Sequence, residues 1–183
     1  MPDAGSLDSG KRAGNENAMR KIRIEKVTVN IGVGKTGEEL DKASKILQSI
    51  TSAKPVLTQC KVKQPTWGIR EGLTIGTKVT LRGEGAERFL KDALAAKDNR
   101  ISMKSFDKQG NFGFGVKEYI DLPRVKYDPK LGIRGFDVLV TLERPGFRVK
   151  RRKLGKTPVS KRHRIGPEDA ADFMRQKFGV EVA

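Results

Sequence analysis

Apolar and polar residues alternate from Ile22 to Ile31, with Ile22, Ile24, Val27, Val29 and Ile31 marking one face of a strand and Thr28 and Asn30 showing on the other. The alternation slips phase at Glu25-Lys26, which predicts a β-bulge. The period then changes: Leu40, Ala43, Ile46, Leu47 and Ile50 recur at helical spacing, and the T-x-x-E spacing of Thr36 and Glu39 predicts a capping box at the start of that helix. Pro55 ends the helical pattern, and Val56 to Cys60 read as a short strand. In LTIGTKVTLRG (73–83), Leu73, Ile75, Val79 and Leu81 alternate with Thr74, Lys78, Thr80 and Arg82, as a half-buried strand requires. Ala86, Phe89, Leu90, Ala93 and Leu94 then fall on one face of a second helix. FGVKEYIDL (114–122) and RGFDVLVTLE (134–143) read as strands separated by the turn-rich PRVKYDPKLGI. The last pattern, PEDAADFMRQKFG, is a helix with Pro167 in its first turn, acids early, bases late and Gly179 after its end. Its inward face is Ala170, Phe173, Met174 and Phe178.

The predicted order is an α+β fold: a β-α-β-β-α-β-like antiparallel sheet with one additional strand, helices on one face, the other face free, long basic loops and a C-terminal helix. Residues 1–18, poor in large apolar side chains and slightly acidic, read as a disordered tail. Residues 19–143 form the α+β domain on this reading, and residues 144–183 add a basic extension and a helix packed on the same domain. No internal repeat is visible.

Composition makes the core feasible. Of 183 residues 36% are hydrophobic, and counting Gly but not Tyr brings the share to about 46%, the globular norm. Charge changes the picture more, because Lys and Arg number 38 against 22 Asp and Glu, a formal net charge of +16. Such an excess predicts a polyanionic partner. It is also concentrated: residues 144–164 hold ten Lys or Arg and no acid. A second acid-free window runs from Lys42 to Arg70, with Lys45, Lys54, Lys61 and Lys63 between. A few scattered lysines are usually a solvated face. Ten bases without a counter-charge would repel in a free chain, whereas phosphates would release their counterions on binding them.

RNA fits better than DNA. No helix-turn-helix, zinc finger or basic zipper is visible, while an open polar sheet face and a loop with Trp67 among Lys and Arg suit RNA shape and base stacking. Trp67 fits a core position as well as a stacking platform. KQGNFGFGVKEY (108–119) fails the RNP1 pattern, because Asn111 and Gly115 intervene. Its phenylalanines are assigned to a turn or the core, and Gly113 and Gly115 to a close backbone approach.

Candidate chemistry is sparse. A single Cys60 excludes an internal disulfide and a cysteine zinc cage, and a single His163 excludes a multi-histidine metal site. No catalytic residue, metal or cofactor is expected. The segment NIGVGKTGEE (30–39) resembles half of a P-loop, but the first glycine of G-x-x-x-x-G-K-[ST] should stand at position 29, which is Val. A phosphotransferase using Lys35 and Thr36 is the rival class; it would need Mg²⁺ and a Walker-B acid, for which Asp121 is the nearest candidate. No secretory h-region and no run of ~18 apolar residues is seen. A soluble, cytoplasmic protein is expected, and residues 144–164 have too few apolar groups for a membrane anchor.

Three blocks, VTVNIGVG (27–34), REGLTIGTKVTLRG (70–83) and SFDKQGNFGFGVKEY (105–119) followed by RGFD (134–137), carry a resemblance over about residues 20–143 to the L5 family, the universal fifth protein of the large ribosomal subunit. The basic segment and the helix after it are similar to the archaeal and eukaryotic branch. The resemblance implies a protein of the central protuberance that binds 5S rRNA and helps attach it to the large-subunit rRNA. It also implies neighbouring central-protuberance proteins, an intersubunit bridge to a small-subunit protein, and a loop near the P-site tRNA. By position, 5S rRNA contacts fall on Asn30, Thr80 and Arg82, with Thr28 and Lys78 on the same strands. The loop toward tRNA corresponds to Lys61–Arg70, with Lys61, Lys63, Gln64, Trp67 and Arg70. The rRNA-anchoring bases are Arg148, Lys150, Arg151, Arg152, Lys153, Lys156, Lys161, Arg162 and Arg164. Where many relatives have Gln before a Lys-Pro pair, this chain has Ala53, which removes a polar contact. On this reading NIGVGKTGEE turns from strand to helix, presenting Asn30 and backbone amides to RNA phosphates.

Overall fold

The structure, a computed structural model, describes residues 17–183, so the expected disordered tail lies outside the described residues except for Asn17 and Ala18. Asn17 caps a 3₁₀ turn, Ala18–Arg20, by accepting the amide of Met19 at 2.9 Å. The alternating run that follows is β1, Arg23–Gly32. It lies at the centre of a five-stranded antiparallel sheet with β2 (Val56–Gln59), β3 (Thr74–Leu81), β5 (Phe112–Val116) and β6 (Phe136–Glu143), in the order β2-β3-β1-β6-β5. The short β4 (Arg100–Ile101) pairs in parallel with β7 (Glu181–Val182), which ties the C-terminus to the body.

Register explains which face is buried. Val29 stands opposite Val79 on one side and Val138 on the other, and Val27 opposite Leu81 and Val140. The period-2 geometry therefore sends Val27, Val29, Val79, Val138 and Val140 to one face, all of them buried. That face is covered by α1 (Glu38–Thr51), through Ala43, Ile46 and Leu47, and α2 (Gly83–Ala95), through Ala86, Phe89, Leu90, Ala93 and Leu94. Burying the Val, Ile, Leu and Phe side chains among them stabilises by roughly 1.5–3 kcal/mol each before chain entropy is counted. The last helix, α3 (Pro167–Phe178), adds Ala170 and Met174 to the same apolar cluster, and Ile165 and Val180 flank it there. Phe173 and Phe178 pack only partly buried against that cluster.

The bulge is where the phase slip placed it, since the β1–β6 register shifts between Ile24 and Lys26. Two local expectations are corrected. The capping box at Thr36 does not form: the helix starts one residue later, its N-cap is Gly37 at φ 99°, and no side chain caps it. A residue with a Cβ is strained at such a φ, so the glycine sets the start and leaves Glu39 free to pair with Arg134 at 3.0 Å. The strand expected at 114–122 is Phe112–Val116, and Tyr119–Asp121 makes a 3₁₀ turn. The Tyr119 amide there donates to Arg134 O, and its hydroxyl accepts the amide of Asp128, holding the turn-rich segment.

Candidate nucleic-acid interface

Opposite the helices, the sheet shows two polar rows. Thr28 stands between Thr80 and Leu139, and Asn30 between Lys78 and Asp137. Residues directly opposite one another share a face, so the rows read Thr80-Thr28-Leu139-Gly113 and Val56-Lys78-Asn30-Asp137-Gly115. Among the described residues no helix covers this face, and Leu139 at its centre is 50% exposed. The structure thus brings together Thr28, Asn30, Lys78 and Thr80, with Arg82 just past the end of β3 at the N-cap of α2. The glycines answer the RNP1-like spacing: Phe112 is buried and Phe114 partly buried in the core, while a Cβ on Gly113 would sit 2.7 Å from Leu139 Cδ2. The outer row is kept low beside Leu139.

The P-loop-like turn does not offer amides in the way expected. The Val33 and Gly34 amides both donate to Ile75 O, at 2.9 and 2.8 Å, which staples the turn to β3. The first turn of α1 carries Glu38, Glu39 and Asp41, which already complement the helix dipole and would repel a phosphate. Asn30, on the sheet, remains available; the helix N-terminus does not. Arg134 beside Glu39 holds that carboxyl below its ordinary range, first by the hydrogen bond and then by its charge.

The loop from Lys61 to Arg70 has an internal fold. Gln64 and Ile69 form an antiparallel bridge with amide–carbonyl bonds of 2.9 and 3.1 Å around a Pro65–Trp67 3₁₀ turn. Ile69 is buried, whereas Lys61, Lys63, Gln64 and Arg70 are exposed and Trp67 is 74% exposed. The core position for Trp67 is therefore not taken. Cys60, at the loop's base, donates its thiol to Val62 O.

The basic segment follows a defined path, which its composition had not suggested. Phe147 is buried, His163 meets it edge-on at 5.8 Å, and His163 Nε2 lies 2.8 Å from Pro145 O. Arg144 donates to Arg164 O and to Asp169, both at 3.0 Å, joining the two ends of the segment. Among the expected anchoring bases, Arg148, Arg152, Lys153, Lys156, Lys161, Arg162 and Arg164 are exposed, and Lys150 Nζ lies 4.8 Å from the Phe147 ring centroid. Arg151 differs. Its Nη1 reaches Glu25 Oε1 at 2.7 Å and its Nη2 meets Glu143 Oε2, and Arg23 also contacts Glu143 at 2.7 Å. Arg82 approaches Glu25 at 3.7 Å. Sequence reasoning missed these two glutamates. The only signals were that Glu25 falls at the phase slip and Glu143 is the last acid before the basic run; their proximity needs the β1–β6 pairing.

Among the described residues no group of His, Cys, Asp and Glu could hold a metal ion, and no helix is long and apolar enough to cross a membrane. An α+β sheet with one open polar face and two basic protrusions defines the class as nucleic-acid-binding. Family models agree on a narrower placement: "Ribosomal protein L5" matches residues 17–70, and the model of the C-terminus of the same ribosomal protein family matches residues 74–177. The large ribosomal subunit protein uL5 of Nanoarchaeum equitans is 52% identical over 91% of this chain and 99% of its own length. That of Sulfurisphaera tokodaii is 52% identical over 91% and 94%, and that of Archaeoglobus fulgidus 48% over 97% and 98%. The chain belongs to the ribosomal L5 protein family. That is a family of ribosomal proteins and not of enzymes, so the phosphotransferase reading of Lys35 and Thr36 is set aside.

Proposed function

We propose that this protein is a structural constituent of the large ribosomal subunit whose open sheet face binds 5S rRNA and helps attach it to the large-subunit rRNA. As a ribosomal protein it works on the ribosome, in the cytoplasm, with rRNA and ribosomal components as partners. The observation that carries the 5S assignment is the uncovered face: Thr28, Asn30, Lys78 and Thr80 in two adjacent rows, backed by a rigid core and edged by Arg82. Rigid strands fix donors in place, so that binding orders few side chains. The Lys61–Arg70 hairpin with exposed Trp67 is assigned to the P-site tRNA, and the segment 144–164 to large-subunit rRNA. The neighbouring central-protuberance proteins and the small-subunit bridge complete the implied setting.

Competition binding with labelled 5S rRNA at one salt concentration tests the face. Lys78→Ala and Arg82→Ala are expected to weaken binding more than Lys42→Ala, because Lys42 lies on α1, across the sheet from the open face. Equal losses for all three would overturn the assignment and leave only general electrostatic attraction.

A further inference from the structure

The segment between Arg144 and Arg164 is closed at its ends and pinned in its middle, and the pin is one guanidinium held by two carboxylates. Glu25 and Glu143 side chains are only 9% and 10% exposed, yet each is an acid in the most basic part of the protein. Both bonds come from Arg151, by different nitrogens. A guanidinium can span two acceptors in this way; an ammonium, being a point charge, cannot reproduce the fork. The β-bulge supplies the geometry, since the extra residue it adds to β1 is Glu25 and a bulge re-aims a side chain.

We infer that Glu25 and Glu143, through Arg151, are positioning residues for RNA binding: they hold the basic segment folded in the free protein, so that its exposed bases meet phosphates without first being ordered. This inference rests on the proposed rRNA-anchoring role of the segment. It reverses what composition suggests, namely that ten bases without a counter-charge repel one another in the free chain. The two glutamates oppose RNA by charge and favour it by shape, and this makes the sign of their effect diagnostic. Electrostatics alone predicts that Glu143→Gln, which raises the net charge by one, tightens RNA binding. The positioning role predicts weaker binding, because a loosened segment must be ordered at the moment of association.

The cleaner variant is Arg151→Lys, which keeps the charge and loses the two-carboxylate span; Arg162→Lys, exposed and without a carboxylate partner among the described residues, is the control for the exchange readout alone. Two readouts are taken on the full-length protein. Hydrogen exchange of the free protein is expected to show residues 147–158 deprotected in Arg151→Lys and unchanged in Arg162→Lys. Affinity for a large-subunit rRNA fragment is expected to fall roughly tenfold in Arg151→Lys and Glu143→Gln, the factor that corresponds to about 1.4 kcal/mol. Unchanged exchange in Arg151→Lys would overturn the pinning. Deprotection with unchanged or tighter rRNA binding would overturn the positioning role. If instead neutralising several exposed bases of the segment left affinity unchanged, the anchoring role itself would fail, whatever the exchange data showed, and the inference would fall with it.

Discussion

Neutralising the exposed bases of the 144–164 segment should change how RNA affinity depends on salt, by an amount the structure lets one count. Arg148, Lys153, Lys156, Lys161 and Arg162 are exposed, and none pairs with a carboxylate among the described residues. Arg144 and Arg151 are left out, because their partners Asp169, Glu25 and Glu143 hold the segment together. If all five reach phosphates, replacing them by Gln removes about 0.9 from the slope of log affinity against log salt for each, taking the value for duplex DNA, or roughly 4.5 in total. Between 50 and 200 mM salt a slope difference of that size is worth about 2.7 decades, several hundredfold, so it stands well clear of the scatter of a binding assay. The assay is filter binding of large-subunit rRNA fragments across that range, with circular dichroism to show that the variant is folded. The fold should survive, since the five positions lie outside the apolar cluster. A folded variant with the slope of the unsubstituted protein would refute the reasoning and make the run of bases a solvated surface.

Shortening the Lys61–Arg70 hairpin between the Cys60 and Gly72 anchor, where Gly72 N donates to Cys60 O at 2.9 Å, is expected to leave 5S rRNA affinity unchanged and to weaken contact with P-site tRNA on ribosomes, read by chemical footprinting of the tRNA; lost 5S binding in a folded protein would contradict the division of labour. Gly135→Ala should destabilise the protein by about 1–3 kcal/mol in chemical denaturation, because the new Cβ would lie 2.7 Å from Lys117 O and 2.9 Å from Val116 O, backbone atoms that cannot swing aside. For pH, Glu39 has its folded pKa depressed by Arg134, so its pairing stabilises above the unfolded-state carboxylate pKa and is lost as pH falls through the depressed value. In an NMR titration, Arg134→Ala should return the Glu39 midpoint toward its ordinary value and remove that stretch of acid sensitivity.

The larger elements were legible because period and burial agree in them. Val27, Val29 and Ile31 on β1, and the five apolar residues of α2, are buried as the pattern required. The open face was legible for the same reason, since a clean period of two fixes the outward residues as soon as the inward ones are known. Local capping was not, because the Thr36–Glu39 spacing competes with the backbone demand at Gly37, and φ is invisible in a motif. The path of the basic segment was hidden for a different reason. Its stabilising partners, Glu25, Glu143 and Asp169, all lie outside the acid-free run, Glu25 far from it in sequence, and only the fold brings them beside Arg151 and Arg144. Composition counts charges without their neighbours, so it gave a run of free bases where the structure has a closed loop with an exposed rim.

The claim that the uncovered sheet face is the 5S rRNA site is tested most directly by photo-crosslinking from the face itself. A photoreactive residue placed at Leu139, half-exposed between Thr28 and Gly113, should transfer a label to 5S rRNA in reconstituted complexes. The same residue at Lys91, exposed on α2 across the sheet, should not. Labelling of 5S rRNA from position 91 and none from position 139, in complexes formed with equal affinity, would place the RNA on the helical side and contradict the account.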